Sequence, residues 1–292
     1  RPFRLALGLA AIFIAGGLTR DLTQNVLHAE RTFFGIHEVV DEGWEMKLLN
    51  GTTNHGTQLK SPDLRCRATS YYHATSPIGR LFASFTGFYT KFDVAVVGLG
   101  AAALAPHSHA GQRWTFYEIN PAIERIARDR RYFTYLSHCI ANFTVVIGDA
   151  RLRIAAVPDG THDFMVLDAF SSDAIPVHLL TREAIELYFR KLTARGLLAV
   201  HISNRYLDLE PVLAALARDT GLTARVFDDN DVSSQERIEG KLTSTWVVLA
   251  READDLGPLQ SRPEWTPLAS RPDVRAWTDD FSDVVSVLDL SD

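Results

Sequence analysis

The run Asp93-Val-Ala-Val-Val-Gly-Leu-Gly-Ala-Ala-Ala103, followed one βα unit later by Trp114-Thr-Phe-Tyr-Glu-Ile-Asn120, leaves few folds open to this chain. An apolar strand running into Gly98 and Gly100 lets the backbone pass close to a ligand. The small residues that follow start a helix whose amides and positive dipole end face that ligand. Glu118 ends the next strand, 20 residues after Gly98, the distance at which a carboxylate takes a ribose hydroxyl pair. Together these features predict a nucleoside-binding unit. The plain alternative is a tight βα turn in an α/β sheet.

From residue 92 onward, strand-like and helix-like patterns alternate. Strands are expected at Asp93–Val97, Arg113–Glu118, Phe143–Ile147, Asp163–Leu167, Leu197–Ile202, Thr223–Phe227 and Thr245–Ala250, with helices near Ala122–Arg128, Thr181–Leu192 and Leu209–Arg218. This predicts an α/β fold, a doubly wound and mostly parallel seven-stranded sheet of the Rossmann-like, methyltransferase type over 90–292. Ligands then bind beyond the C-terminal ends of the strands. Polar residues collect at that edge: Glu118 after the second strand, Gly148-Asp149-Ala150 after the third, Asp168 after the fourth, and His201 to Asn204 after the fifth.

The segment 31–89 has a different texture. Phe33 to Val40, Trp44 to Leu49 and the Asn50-Gly51 turn between short runs predict hairpins of a small antiparallel β domain. His55-Gly-Thr-Gln58, Thr69-Ser-Tyr-Tyr-His73 and Ser76-Pro-Ile-Gly79 are polar, aromatic and rich in turn formers. They read as a surface loop or as a lid facing the substrate. In 1–20, the uncharged apolar run from Leu5 to Leu18 lies between Arg4 and Arg20 and is short for a bilayer crossing, which needs about 20 residues. It is read as the tail of a transmembrane segment, against a signal-peptide core or an interfacial helix.

Composition narrows the function classes. A hydrophobic content of 46% supports a large buried core, and a net charge of −6 with no long Lys/Arg run argues against nucleic acid as a partner. Cys66 and Cys139 lack metal-ligand spacing, so no metal is expected, and they are expected as two thiols.

The order Gly-x-Gly, Tyr-Glu-Ile-Asn, Gly-Asp-Ala-Arg and Val-Leu-Asp-Ala-Phe-Ser-Ser-Asp-Ala-Ile-Pro resembles the spermidine synthase family of polyamine aminopropyltransferases. It is most similar to the bacterial branch in which such a domain follows a membrane-embedded, transporter-like part. The resemblance implies a methyltransferase-type sheet with a small N-terminal β domain. The co-substrate it implies is decarboxylated S-adenosylmethionine, the acceptor a di- or polyamine, and the released product methylthioadenosine. It further implies a homodimer with attachment to the membrane, on the cytoplasmic face in a longer parent chain and otherwise cytoplasmic.

Aminopropyl transfer is an in-line displacement at a carbon beside a sulfonium, attacked by an amine that must lose a proton. A carboxylate within reach serves as the acceptor of that proton. Asp168 matches the first Asp of the family's Asp-Ser-Ser-Asp motif and is the expected base. Asp173 matches the second, displaced by Ala169-Phe170. Its plain alternative, like that of Asp168, is a helix cap. Glu118 resembles the ribose carboxylate, Asp149 with Ala150 the pair that meets the adenine, and Gln58, Tyr72 and His73 the residues near the sulfonium arm and the amine. His201 and Asn204 match no family role.

The glycine loop departs from the family. Where the family reads Gly-Gly-Gly-Asp-Gly-Gly, with an Asp that grips the arm's ammonium, this chain reads Gly98-Leu-Gly-Ala-Ala-Ala103, so Ala101 stands in place of that Asp. An Asp would attract the decarboxylated co-substrate and repel the carboxylate of intact S-adenosylmethionine. Two alternatives therefore stay open: an S-adenosylmethionine-dependent methyltransferase, and a non-catalytic nucleoside-binding domain of a membrane protein.

Overall fold

The computed structural model describes residues 25–86, 90–170, 176–204 and 206–289. The apolar run 5–18 and Ser171-Ser172-Asp173 lie outside them. Four short strands pair in chain order into an antiparallel sheet: β1 (Asn25–Thr32), β2 (Gly35–Asp41), β3 (Glu45–Asn50) and β4 (Thr53–Leu59). The sequence reading is corrected in two places. Phe33 and Phe34 form the turn between β1 and β2 rather than the start of a strand. At Gly35, whose φ is 124°, an added Cβ would meet the Asn50 amide oxygen at 2.3 Å, so the turn packs on a neighbouring strand. His55 to Gln58, expected in a loop or lid, belong to β4.

The second sheet has seven strands: β5 (Asp93–Val97), β6 (Arg113–Glu118), β7 (Phe143–Ile147), β8 (His162–Leu167), β9 (Leu192–His201), β10 (Thr223–Asp229) and β11 (Ser244–Ala250). Their order is β10-β11-β9-β8-β5-β6-β7, with β11 antiparallel to both its neighbours and β7, β6, β5, β8 and β9 parallel. This is the doubly wound, mostly parallel sheet the sequence predicts. The all-apolar interior of β5, buried on both faces, suits a central parallel strand. Chain order reverses direction across the sheet at β5 and β8, and a crevice opens there beyond the strand ends.

Helices cover both faces. Between the two sheets in the chain lies α1 (Pro77–Ser84), whose N-cap Ser76 and following Pro77 are a start signal that the loop reading passed over. It is followed by α2 (Pro121–Arg128), α3 (Tyr135–His138), α4 (Ala150–Ala155), α5 (Arg182–Lys191), α6 (Glu210–Thr220) and α7 (Ser234–Ile238). One apolar layer, including Trp114, Phe116, Phe164 and Trp246, lies on one face of the sheet; the other, including Ile154, Ile185, Tyr188 and Leu213, lies opposite. No helix among the described residues is long and apolar enough to cross a membrane.

The two cysteines are not thiols. Cys66 and Cys139, 73 positions apart in sequence, form a disulfide with Cα atoms 5.4 Å apart. Contacts around it explain the approach. The Tyr135 hydroxyl donates to the Thr57 carbonyl at 2.8 Å, and Gln58 Nε2 donates to the Arg65 carbonyl at 2.8 Å and to Thr134 Oγ1 at 3.1 Å. The exit of β4 is thereby stitched to α3. No local spacing could announce a pair brought together this way.

Candidate active site

The C-terminal ends of β5, β6 and β8 meet β4 and the turn 69–73 around a cavity of about 920 Å³. That volume suits a nucleoside with a second small molecule beside it. Gly98 and Gly100 sit on its wall, but their missing side chains answer to protein as well as to any ligand. A Cβ on Gly98 would stand 2.3 Å from the Asp168 carbonyl oxygen, and one on Gly100 2.3 Å from that of His55. The glycine loop is thus where the two sheets and the β8 end close on one another.

At one end of the cavity stands Glu118, only 7% exposed. Its Oε2 accepts from the Leu99 amide at 3.0 Å and its Oε1 from the Asn120 amide at 2.8 Å. Burial raises its pKa, and these amides oppose the rise. Each oxygen keeps a lone pair for a hydroxyl donor. Next to it His37 Nε2 takes the Asn120 amide nitrogen at 2.8 Å, and burial holds the imidazole's pKa below its usual value. Across the wall, Asp149 caps α4 through the Leu152 amide at 3.0 Å and approaches His178 Nε2 at 3.2 Å, with Ala150 beside it. This end combines hydroxyl acceptors with the apolar Ile119 and Leu179.

The other end centres on Asp168. Tyr72 O–H donates to its Oδ2 at 2.7 Å, and His201 Nδ1 meets its Oδ1 at 2.7 Å. Burial first, then the adjacent carboxylate, raises the Tyr72 pKa well above the phenol range, so Tyr72 remains a donor. The Asp168 amide is itself held by the Val97 carbonyl at 2.9 Å, fixing the carboxylate to the central strand. Asn54, Tyr71, Ser203, Asn204 and Thr243 complete the wall.

Of the residues expected from sequence, Gly98, Gly100, Glu118, Asp149, Ala150, Tyr72 and Asp168 come together on this cavity. Three others do not reach its wall. Gln58 is spent on Arg65 and Thr134, its Oε1 accepting the Thr134 amide at 2.7 Å. His73 is buried beside Thr75, with Nε2 3.6 Å from Glu239. Ala101 is fully buried, its amide donating to the His55 carbonyl at 3.0 Å, and a Cβ on Gly56 would stand 2.6 Å from the Ala101 Cβ. The space at Ala101 is therefore closed off by β4. Asp173 lies outside the described residues. His201, placed by sequence at the strand edge without a role, is in direct contact with Asp168. Among the described residues no group of three or more His, Cys, Asp or Glu is placed to hold a metal ion.

No family model matches the chain. Over 117 residues, 37% of its length, it is 34% identical to a polyamine aminopropyltransferase of Vibrio vulnificus (strain CMCP6), and the match spans 36% of that relative. The fold is similar to that of a probable spermidine synthase from Corynebacterium glutamicum ATCC 13032, with a TM-score of 0.60 at 13% identity over 87% of this chain and 97% of that one. The spermidine synthase from Thermotoga maritima gives a TM-score of 0.52 at 11% identity over 85% and 81% of the two chains. A spermidine synthase bound to the transition state analogue AdoDATO gives 0.52 at 12% identity over 85% and 80%. At these identities the structural likeness shows the fold.

Proposed function

We propose that this chain is a spermidine synthase-like aminopropyltransferase, moving an aminopropyl group from decarboxylated S-adenosylmethionine to a di- or polyamine. The observation that carries the reading is one cavity with Glu118 at one end and the Tyr72-tethered Asp168 at the other. The partial identity with a polyamine aminopropyltransferase supports it.

In this reading the Glu118 oxygens accept the two ribose hydroxyls, and Asp149 with Ala150 meets the adenine. The acceptor's amine nitrogen attacks the aminopropyl carbon bonded to sulfur. The new C–N bond forms as the C–S bond breaks, its electron pair stays on sulfur, and neutral methylthioadenosine leaves. The proton shed by the amine goes to an Asp168 oxygen, which retains a lone pair after accepting from Tyr72 and His201. Burial strengthens this step, since a carboxylate at a largely desolvated wall attracts a developing ammonium more than it does in water.

The reading extends to a homodimer and to attachment to a membrane-embedded, transporter-like part. The cytoplasmic placement that goes with it stands against the Cys66–Cys139 bond, a linkage that oxidising compartments preserve. Incubation with a diamine panel and either decarboxylated or intact S-adenosylmethionine, followed by mass spectrometry, tests the reaction. Methylthioadenosine with a mass-shifted amine is expected. S-adenosylhomocysteine marks a methyltransferase, and neither product marks a binding domain; either result overturns the proposal.

A further inference from the structure

We infer that His201 is a positioning residue of this site, holding the Asp168 carboxylate through its Nδ1–H; the inference builds on the proposed transfer reaction. The Thr245 amide donates to Ser203 Oγ at 2.8 Å, and Ser203 Oγ lies 2.8 Å from His201 Nε2. A carboxylate has no proton to give, so His201 meets Asp168 Oδ1 at 2.7 Å as an Nδ1–H donor. In that tautomer Nε2 accepts, and the Ser203 hydroxyl is the donor within its reach.

An anchor needs a fixed ring, and this one is fixed. It stacks on Trp246 with centroids 4.4 Å apart and planes 2° from parallel, and Phe170 meets it edge-on at 5.0 Å. With Tyr72 on Oδ2 and His201 on Oδ1, the carboxylate plane is held from both sides, and the lone pairs left over are those available to an amine.

Two substitutions separate positioning from bulk. His201→Asn keeps an amide nitrogen close to the place of Nδ1, whereas His201→Phe keeps a ring over Trp246 and loses the donor. With decarboxylated S-adenosylmethionine and the best diamine, His201→Phe is expected to lower kcat roughly 10- to 100-fold with the donor KM unchanged, since small misplacements of a reacting group cost that much. His201→Asn should recover most of the loss. Equal kcat in His201→Phe and wild type, or equal loss in both variants, overturns the inference while leaving the transfer reaction standing. A readout independent of turnover covers the case in which the reaction itself fails. In a long-range 1H–15N spectrum of histidine-labelled wild type, with His201 assigned by its absence in His201→Asn, the ring proton is expected on Nδ1. A proton on Nε2 overturns the inference whatever the enzyme does.

Discussion

The two ends of the cavity are built on different principles. At the Glu118 end the carboxylate itself is held by one stretch of chain: β5, the glycine loop, β6 and the start of α2 fix it through the amides of Leu99 and Asn120, each within two residues of a strand end. The Asp168 end is assembled from distant parts, with Tyr72 96 residues away in sequence and His201 33 away. The first end is set by local backbone geometry and the second by tertiary packing. In the proposed reaction, holding the nucleoside falls to the first end and proton transfer to the second.

The comparison breaks most visibly at Asp168. Asp168→Asn keeps the side-chain shape and removes the proton acceptor, so turnover is expected to fall roughly 10²–10⁴-fold while methylthioadenosine still raises the melting temperature. Product formation and thermal shift, measured on the same preparation, check both halves. Undiminished turnover would move the base elsewhere, with Asp173 the next candidate.

Opening the disulfide should act on the packing of β4 against α3. A cross-link closing a loop of this size contributes about 2–4 kcal/mol, so Cys66→Ser with Cys139→Ser should lose about that much in denaturant unfolding. Thiol titration of the native protein should find neither cysteine reactive. Two reactive thiols would show that the bond does not form.

Glu118→Ala sharpens the contrast from the other side. Loss of the charged acceptor for the ribose hydroxyls should weaken methylthioadenosine by roughly 1.5–3 kcal/mol, tenfold or more in Kd by calorimetry. An unchanged Kd would remove the nucleoside from this end.

The smallest expected effect is a pH dependence. His107, stacked on Phe82, donates from Nε2 to the Tyr72 carbonyl at 2.7 Å, and burial lowers its pKa to about 4. Its folded pKa lies below the unfolded value, so the unfolded chain binds the proton first. The contribution is complete above the unfolded pKa and is lost as pH falls from there toward 4, on the order of 1–2 kcal/mol by pH 5. His107→Gln, which keeps a donor and cannot titrate, should flatten the melting temperature between pH 7 and pH 5 relative to wild type. Parallel curves would assign the pH dependence to other buried histidines.

The same difference explains what could be read from sequence. The strands of the large sheet, Glu118 and Asp149 follow from periodicity and strand ends, both local signals. Asp168 was legible because it ends a strand and opens the run that carries the family resemblance. Gln58 and His73 were misplaced because the polar stretch around them reads as a lid, whereas Gln58 ends a strand stitched to α3 and His73 packs beside Thr75 and Glu239. The substitution at Ala101 reads from sequence as lost charge. In the fold it is a matter of space, since Gly56, whose φ is 138°, brings β4 against it. The disulfide and the His201 contact depend on which elements become neighbours, and no spacing in the chain encodes that.

A crystal structure with methylthioadenosine and a diamine bound would test the central claim most directly. The account predicts the ribose hydroxyls on Glu118, the thioether sulfur pointing along the glycine loop toward Asp168, and one amine nitrogen within hydrogen-bond distance of an Asp168 oxygen. A nucleoside whose ribose lies away from Glu118, or an amine bound with its nitrogen remote from Asp168, would contradict it.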